Sequence, residues 1–189
     1  MRASIARPIA AAFATSIALG ACSSVNVNTP TLFQRMESAR TDEGTGLGLE
    51  APLRAIGGSA VQGKVRVVER KDGVTVMLSA QNIMRGPYRM AFHEKGNCTS
   101  PNGFSAGLPW APPASSKAPD ALIPSMYATA EGSVESQVFV PGVRISGDNG
   151  LTGRSIVIYL GSSIPTILAD RPNSAIACGA FEAVRPIIF

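Results

Sequence analysis

The stretch from Lys64 to Leu78 constrains the fold more than any other. Val65, Val67 and Val68 precede Lys71-Asp72-Gly73, and Val74, Val76 and Leu78 follow it. β-Branched residues of this kind suit a pleated strand, and an Asp-Gly pair between two such runs signals a hairpin. Further short runs, mostly β-branched or aromatic, cover residues 88–93, 134–140 and 155–160, separated by Gly, Pro, Asn and Ser turns. No long apolar period of the helical kind appears in the domain. The expected fold class is all-β, a sandwich or barrel of about 120–130 residues that begins at Ala60. Residues 102–124 are rich in Pro, Gly, Ser and Ala and lack a period. They are expected to form a long loop, and long ordered loops often carry function.

Counts then narrow the chemistry. The chain has 189 residues, one histidine and three cysteines. That length suits one domain. A single histidine rules out a protein zinc site of several imidazoles and any two-histidine acid/base pair. Three is an odd number of cysteines, so at least one acts outside an internal disulfide.

The N-terminus suggests where that cysteine goes. Arg2 and Arg7 form a basic segment without acids, and Ile9 to Ala21 is an apolar run of 13 residues. A bilayer span needs about 20, so the run fits a signal-peptide core. It ends in Leu19-Gly20-Ala21-Cys22, which resembles the bacterial lipobox, where a peptidase cuts once the cysteine thiol is acylated. The expected organisation is a signal peptide over residues 1–21, a lipid-anchored tether over 22–59 and a β-barrel domain over 60–189. The alternative is an ordinary secretory signal cut near Ala21, with Cys22 a free thiol. Acyl chains on Cys22 make the membrane a partner. Ser23 and Ser24, with no aspartate there, favour the outer membrane, facing the periplasm, by the rule familiar in enteric-type bacteria. Phe33 to Arg40 suits a short helix, and Gly44, Gly46 and Gly48 mark linker. Removal of Arg2 and Arg7 lowers the formal charge from +4 to +2. The remaining basic residues are scattered, which is not a nucleic-acid footprint.

Several motifs lead nowhere. Gly58 to Lys64 has phosphate-loop spacing, but Val65 follows and opens a strand where Ser or Thr and then a helix are needed. No Gly-x-Ser-x-Gly elbow is present, and His93 is the only imidazole available as a base. Asn97-Cys98-Thr99 matches a glycosylation sequon that has no expected use in a bacterial lipoprotein.

The informative stretch runs from Gly86 through Tyr88, Ala91, Phe92, His93, Glu94 and Gly96 to Cys98. It resembles the Gly-x-His-Gly-Phe-His-x-His-Glu-x-Gly-Asp-Cys segment of the bacterial periplasmic branch of the copper/zinc superoxide dismutase family. Four more stretches follow the family's order. Residues 64–78 resemble its opening hairpin. Ser105-Ala106-Gly107 resembles the start of its Ser-Ala-Gly-Gly-His segment. Residues 153–159 resemble its Gly-Arg-Ser-Leu-Val-Ile-His strand, and residues 175–179 its closing Arg-Ile-Ala-Cys-Gly. The resemblance covers about residues 60–181 and implies a Greek-key β-barrel with long loops. It also implies a disulfide between Cys98 and Cys178, closing a loop of about 80 residues and contributing roughly 3–4 kcal/mol in the chain-entropy model. Two unpaired core thiols are the alternative.

The family holds copper with four histidines and zinc with three nitrogen ligands and an aspartate. Carried over by position, only His93 matches a ligand site. Ala91 stands at the first position of the His-x-His pair, Pro109 at the bridging histidine and Tyr159 at the last copper ligand. The zinc-loop positions fall near Pro119 and Leu122, and the guiding arginine falls at Ala175. Copper(II) favours several imidazole-type ligands, so no superoxide dismutase activity and no cofactor are expected. Tyr88, Ala91, His93, Pro109, Tyr159 and Ala175 become a vestigial site, with Tyr88 and Tyr159 placed to pack over it. Trp110 either joins them or stands as an exposed anchor for a partner. Met84, Met90 and Met126 raise a copper(I) alternative, but Met90 falls on the opposite strand face from Ala91 and His93 and suits the core. Glu94 and Lys95 are read as solvated turn residues.

Two readings remain. One is a non-enzymatic, pseudoenzyme lipoprotein of the envelope with a binding or structural role, whose partner is an envelope protein or peptidoglycan. The other is an enzyme or copper-handling protein of the family with non-standard ligands.

Overall fold

The computed structural model describes residues 48–113, 115–161 and 174–184. The signal peptide over 1–21, Cys22, the short helix expected over 33–40 and the tether as far as residue 47 lie outside them. Among the described residues, nine strands, all paired antiparallel, form one sheet. They are β1 (Gly48–Ala55), β2 (Gln62–Arg70), β3 (Gly73–Gln81), β4 (Gly86–His93), β5 (Met126–Ala128), β6 (Ser133–Pro141), β7 (Ser155–Leu160), β8 (Ala175–Ala180) and β9 (Glu182–Ala183). The spatial order is β5-β4-β7-β8-β1-β2-β3-β6, with β9 beside β1. The two ends of this path, β5 and β6, are consecutive in sequence. A tight turn joins them, closed by the Thr129 N–H donating to the Ser133 carbonyl at 2.9 Å. The sheet thereby curls into a nearly closed barrel, which leaves few strand edges exposed. The chain crosses from β3 to β4 on the other side of the barrel and returns from β6 to β7, as expected for the all-β Greek-key class.

The opening hairpin is present, with a different turn. Arg70 pairs with Gly73, so Lys71 and Asp72 are the loop and Gly73 already belongs to β3. Neither loop residue has positive φ, as the usual Asp-Gly hairpin turn requires. Gly73 serves a close approach instead. A Cβ there would sit 2.3 Å from the Val140 carbonyl oxygen on β6.

One boundary moves. The composition of residues 22–59 predicts a tether, but its last part, Gly48–Ala55, is β1 and sits inside the sheet. It pairs with β2 from Gly48↔Val68 to Leu53↔Gly63, and with β8 at Arg54↔Cys178. Leu49, Ala51 and Leu53 face inward, while Glu50, Pro52 and Arg54 alternate outward. This period of two is short and carries a proline, and the adjacent glycines mask it. Barrel structure thus extends at least to Gly48, ahead of the expected start at Ala60.

The main core fills the barrel with Val65, Val67, Val74, Val76, Leu78, Met90, Phe92, Ile156 and Ile158 among others. A second cluster lies on the outer face of the wall, made of Ile56, Ala91, Ala106, Val157, Tyr159, Ala175 and Cys178, with Cys98 packed against it. The wall is therefore covered on both sides here. Ser155 to Tyr159 and Ala175 to Gly179 are buried without interruption, rather than alternating. The outer cover is the first half of the long loop, which includes a helical turn at Phe104–Ala106. At the barrel end, Arg144 of the β6–β7 connection pairs with buried Glu69 at 3.0 Å and donates to the Lys71 carbonyl, fastening that connection to the hairpin.

Candidate functional site

His93 ends β4 and is fully buried, at 0% exposure. Strand alternation turns Ala91 and His93 to the outer face, and Tyr88, Met90 and Phe92 into the barrel. In the next strand, His93 stands opposite Ser155, and Ala91 opposite Val157. Tyr159 lies further along that strand and pairs with Ala175 of β8. On the loop side, Pro109 forms a bridge with His93. The Glu94 N–H donates to the Leu108 carbonyl at 3.1 Å, and the Trp110 N–H to the Phe92 carbonyl at 2.7 Å. Residues 107–110 thus run alongside the end of β4 like a short extra strand.

Both imidazole nitrogens are engaged. Nδ1 is 2.9 Å from the Gly107 carbonyl oxygen, and Nε2 is 2.8 Å from the Tyr159 hydroxyl. A carbonyl only accepts, so Nδ1 carries the hydrogen and Nε2 receives the Tyr159 O–H. Gly107 is the residue that aims this carbonyl. Its φ of 78° lies in the left-handed region, and a Cβ would meet the Glu94 carboxylate at 3.1 Å. Burial pushes the His93 imidazole below its ordinary value, against the opposing effects of the Gly107 carbonyl and the Glu94 charge. Burial also pushes the Tyr159 phenol well up. The pair is therefore neutral at neutral pH.

A pH dependence follows. The unfolded imidazole titrates near 6.5 and the folded one lower. Below about pH 6.5 the unfolded chain binds more protons, so the stability that neutral His93 contributes is complete above that pH and is lost beneath it. The slope is at most about 1.4 kcal/mol per pH unit. Urea midpoints between about pH 7.5 and about pH 5 should fall for the wild type and stay level in His93→Gln. The Glu131 carboxyl, held low by the Thr129 hydroxyl, acts only in a more acidic window.

The structure brings together Ala91, His93, Pro109, Tyr159 and Ala175. It does not bring Tyr88 to them. Tyr88 lies on the opposite face of β4 in the main core, and its hydroxyl donates to the Met84 carbonyl at 2.6 Å. Leu122 also belongs to the main core. Met90 is buried there, Met126 packs against it, and Met84 is 70% exposed, so none of these three thioethers joins His93. Trp110 is half-buried against the main core, with the Arg154 guanidinium 3.8 Å from its ring centroid. It is neither a filler of the His93 site nor a free anchor. Glu94 and Lys95 are exposed, as expected of turn residues. Three parts of the site carry no signal in the sequence: the Gly107 carbonyl, the Ala106 methyl group and the Ile56 side chain. A buried imidazole demands two partners, but no sequence pattern says that one of them is a carbonyl.

Cys98 and Cys178 form a disulfide, with Cα atoms 5.6 Å apart and a sequence separation of 80. It ties the β4–β5 connection, just ahead of the long loop, to β8 at the edge of the second cluster. Copper and zinc are the metals that such a barrel implies, and the donors present do not fit them. His93 has no free nitrogen, and the positions around it offer two methyl groups, a pyrrolidine ring and a buried phenol. Among the described residues, no group of three His, Cys, Asp or Glu side chains converges on a point.

A nearly closed antiparallel barrel, a disulfide-pinned loop and a histidine-bearing strand beneath that loop define a superoxide dismutase-type fold. The family model described as copper/zinc superoxide dismutase matches residues 61–181. A similar protein is the Cu-Zn superoxide dismutase of Caulobacter vibrioides, 31% identical over 135 residues, which cover 64% of this chain and 78% of that relative. The chain belongs to the copper/zinc superoxide dismutase family.

Proposed function

We propose that this chain is a non-enzymatic lipoprotein of the bacterial cell envelope, a pseudoenzyme whose barrel serves a binding or structural role. One observation carries this reading. The only histidine in the chain has both ring nitrogens committed to protein partners inside a fully buried cluster. Dismutation in this family alternates a copper ion between two oxidation states, and a copper held by imidazoles needs several of them. The barrel, its loop and its disulfide persist around a site that has become packing.

Location has separate support. The lipobox-like Leu19-Gly20-Ala21-Cys22 suits acylation of Cys22 and anchoring in the outer membrane. A disulfide joining residues far apart in the chain suits an oxidising compartment such as the periplasm. The partner classes open to such a domain are an envelope protein or peptidoglycan.

The test is superoxide consumption by purified protein loaded with copper and zinc. The expected rate equals that of a buffer control after free metal is removed. A rate approaching the diffusional ceiling of about 10⁸–10⁹ M⁻¹s⁻¹ would overturn the reading and favour an enzyme with non-standard ligands.

A further inference from the structure

The His93 site holds only one protonation state without conflict. Gly107 fixes the hydrogen on Nδ1, and Tyr159 donates to Nε2. A proton added at Nε2 would meet the Tyr159 O–H donor against donor. To relieve this the hydroxyl hydrogen must turn away. The second cluster packed about it, with Ile56, Ala91, Ala106, Val157 and Ala175, offers aliphatic side chains in place of an acceptor. The Tyr159 oxygen then accepts from Nε2, and the result is a buried cation beside an O–H hydrogen without an acceptor, each costly in an apolar site.

We infer that His93 is a proton-sensitive latch, whose protonation releases residues 99–110, in the first half of the β4–β5 connection, from the outer face of β4 and β7. The loop is the side that yields, because the strands are held by full ladders and the loop by few bonds. Those bonds are Glu94 N–H to Leu108, Leu108 N–H to the Glu94 carboxylate, Lys95 N–H to Ala106, Trp110 N–H to Phe92, Gly57 N–H to Pro101 and His93 to Gly107. The disulfide at Cys98 limits the opening to the segment beyond it. That segment carries Phe104 and Leu108, two exposed large apolar side chains, at 41% and 60%. Their presentation then depends on the state of the latch.

The charged and titratable groups around His93 are few. From β4's own end, Glu94 is exposed, and its carboxylate accepts the Leu108 N–H at 3.3 Å. Lys95 is exposed beside Gly107. From β7 come Tyr159 and the uncharged Ser155, whose hydroxyl donates to the Lys95 carbonyl. Just before β7, Arg154 donates to the Glu94 carbonyl. β8 presents Cys178, which does not titrate while bonded. Glu94 favours the protonated imidazole, and Lys95 and Arg154 oppose it.

The latch rests on the metal-free reading of the site. Its test is amide hydrogen exchange of the full chain, corrected for intrinsic rates, from about pH 7.5 to about pH 5, alongside ring-shift titration of His93. Protection at Glu94, Lys95 and Trp110 is expected to fall about tenfold or more, with the same midpoint as His93, while Val67 and Val76 of the hairpin hold theirs. The fall is expected to persist in Glu94→Gln and to vanish in His93→Gln. Constant protection in the wild type overturns the latch, as does a midpoint different from that of His93. The ring titration needs no variant, so the test survives if His93→Gln fails to fold. Stoichiometric copper or zinc in the sample overturns the metal-free reading and the latch with it. Metal-free protein with an unresponsive loop overturns the latch alone.

Discussion

Replacing Cys98 and Cys178 together by alanine is expected to lower stability by about 4 kcal/mol. The bond spans 80 positions, so without it the unfolded chain regains a large loop-closure entropy. The native state loses as well. Cys178 is fully buried in the second cluster, and Cys98 packs on it. The melting temperature should fall by about 10–20 °C for a domain of this size. Reduction of the wild type before heating should reproduce the shift. A change below about 1 kcal/mol would mean that the hydrogen bonds of the loop already restrict the unfolded chain, or that the loop is held without the bond.

His93→Ala is expected to cost about 3–5 kcal/mol, similar to removing a large buried side chain. The substitution opens a cavity beneath the loop and strands two polar groups, the Tyr159 hydroxyl and the Gly107 carbonyl. The companion variant Tyr159→Phe should cost less, about 1–2 kcal/mol, since it removes one hydroxyl and leaves the ring. The double variant should show coupling of about 1 kcal/mol, because the two residues share one hydrogen bond. Urea denaturation near neutral pH reads all three. A ligand histidine in metal-free protein behaves differently, because its removal relieves a polar cavity and is close to neutral. A cost below about 1 kcal/mol for His93→Ala would therefore speak against a structural role.

Much of the fold is legible from residue pattern, and the misses have physical causes. The hairpin, β4, β6 and β7 are expected from β-branched and aromatic runs, and each is found. The spacing of Cys98 and Cys178 is legible only through family likeness, and the two are bonded. β1 escapes notice because its alternation of Leu49, Ala51 and Leu53 is only three residues long, carries Pro52 at an outward position and follows a glycine-rich stretch. Gly73 is legible as a turn residue but acts through its closeness to β6. Within the site, position along the family pattern finds Ala91, His93, Pro109, Tyr159 and Ala175. Tyr88 is misplaced, and strand parity alone corrects it, since Tyr88 and His93 are an odd number of residues apart. The tie between His93 and Gly107 is invisible in sequence because its acceptor is backbone and its geometry depends on one left-handed glycine. The outer cluster is equally hidden. Small residues such as Ala91, Ala106 and Ala175 form a core only once the loop lies over them.

On this reading, the place where the family binds metal has become a second core in this chain. Metal analysis of the purified protein after equilibration with excess copper and zinc, followed by removal of free ions, tests it most directly. Far less than one copper or zinc ion per chain is expected, with Nδ1 of His93 still protonated and Nε2 still accepting from Tyr159. Retention of about one copper per chain, accompanied by loss of the Nε2 hydrogen bond, would contradict it.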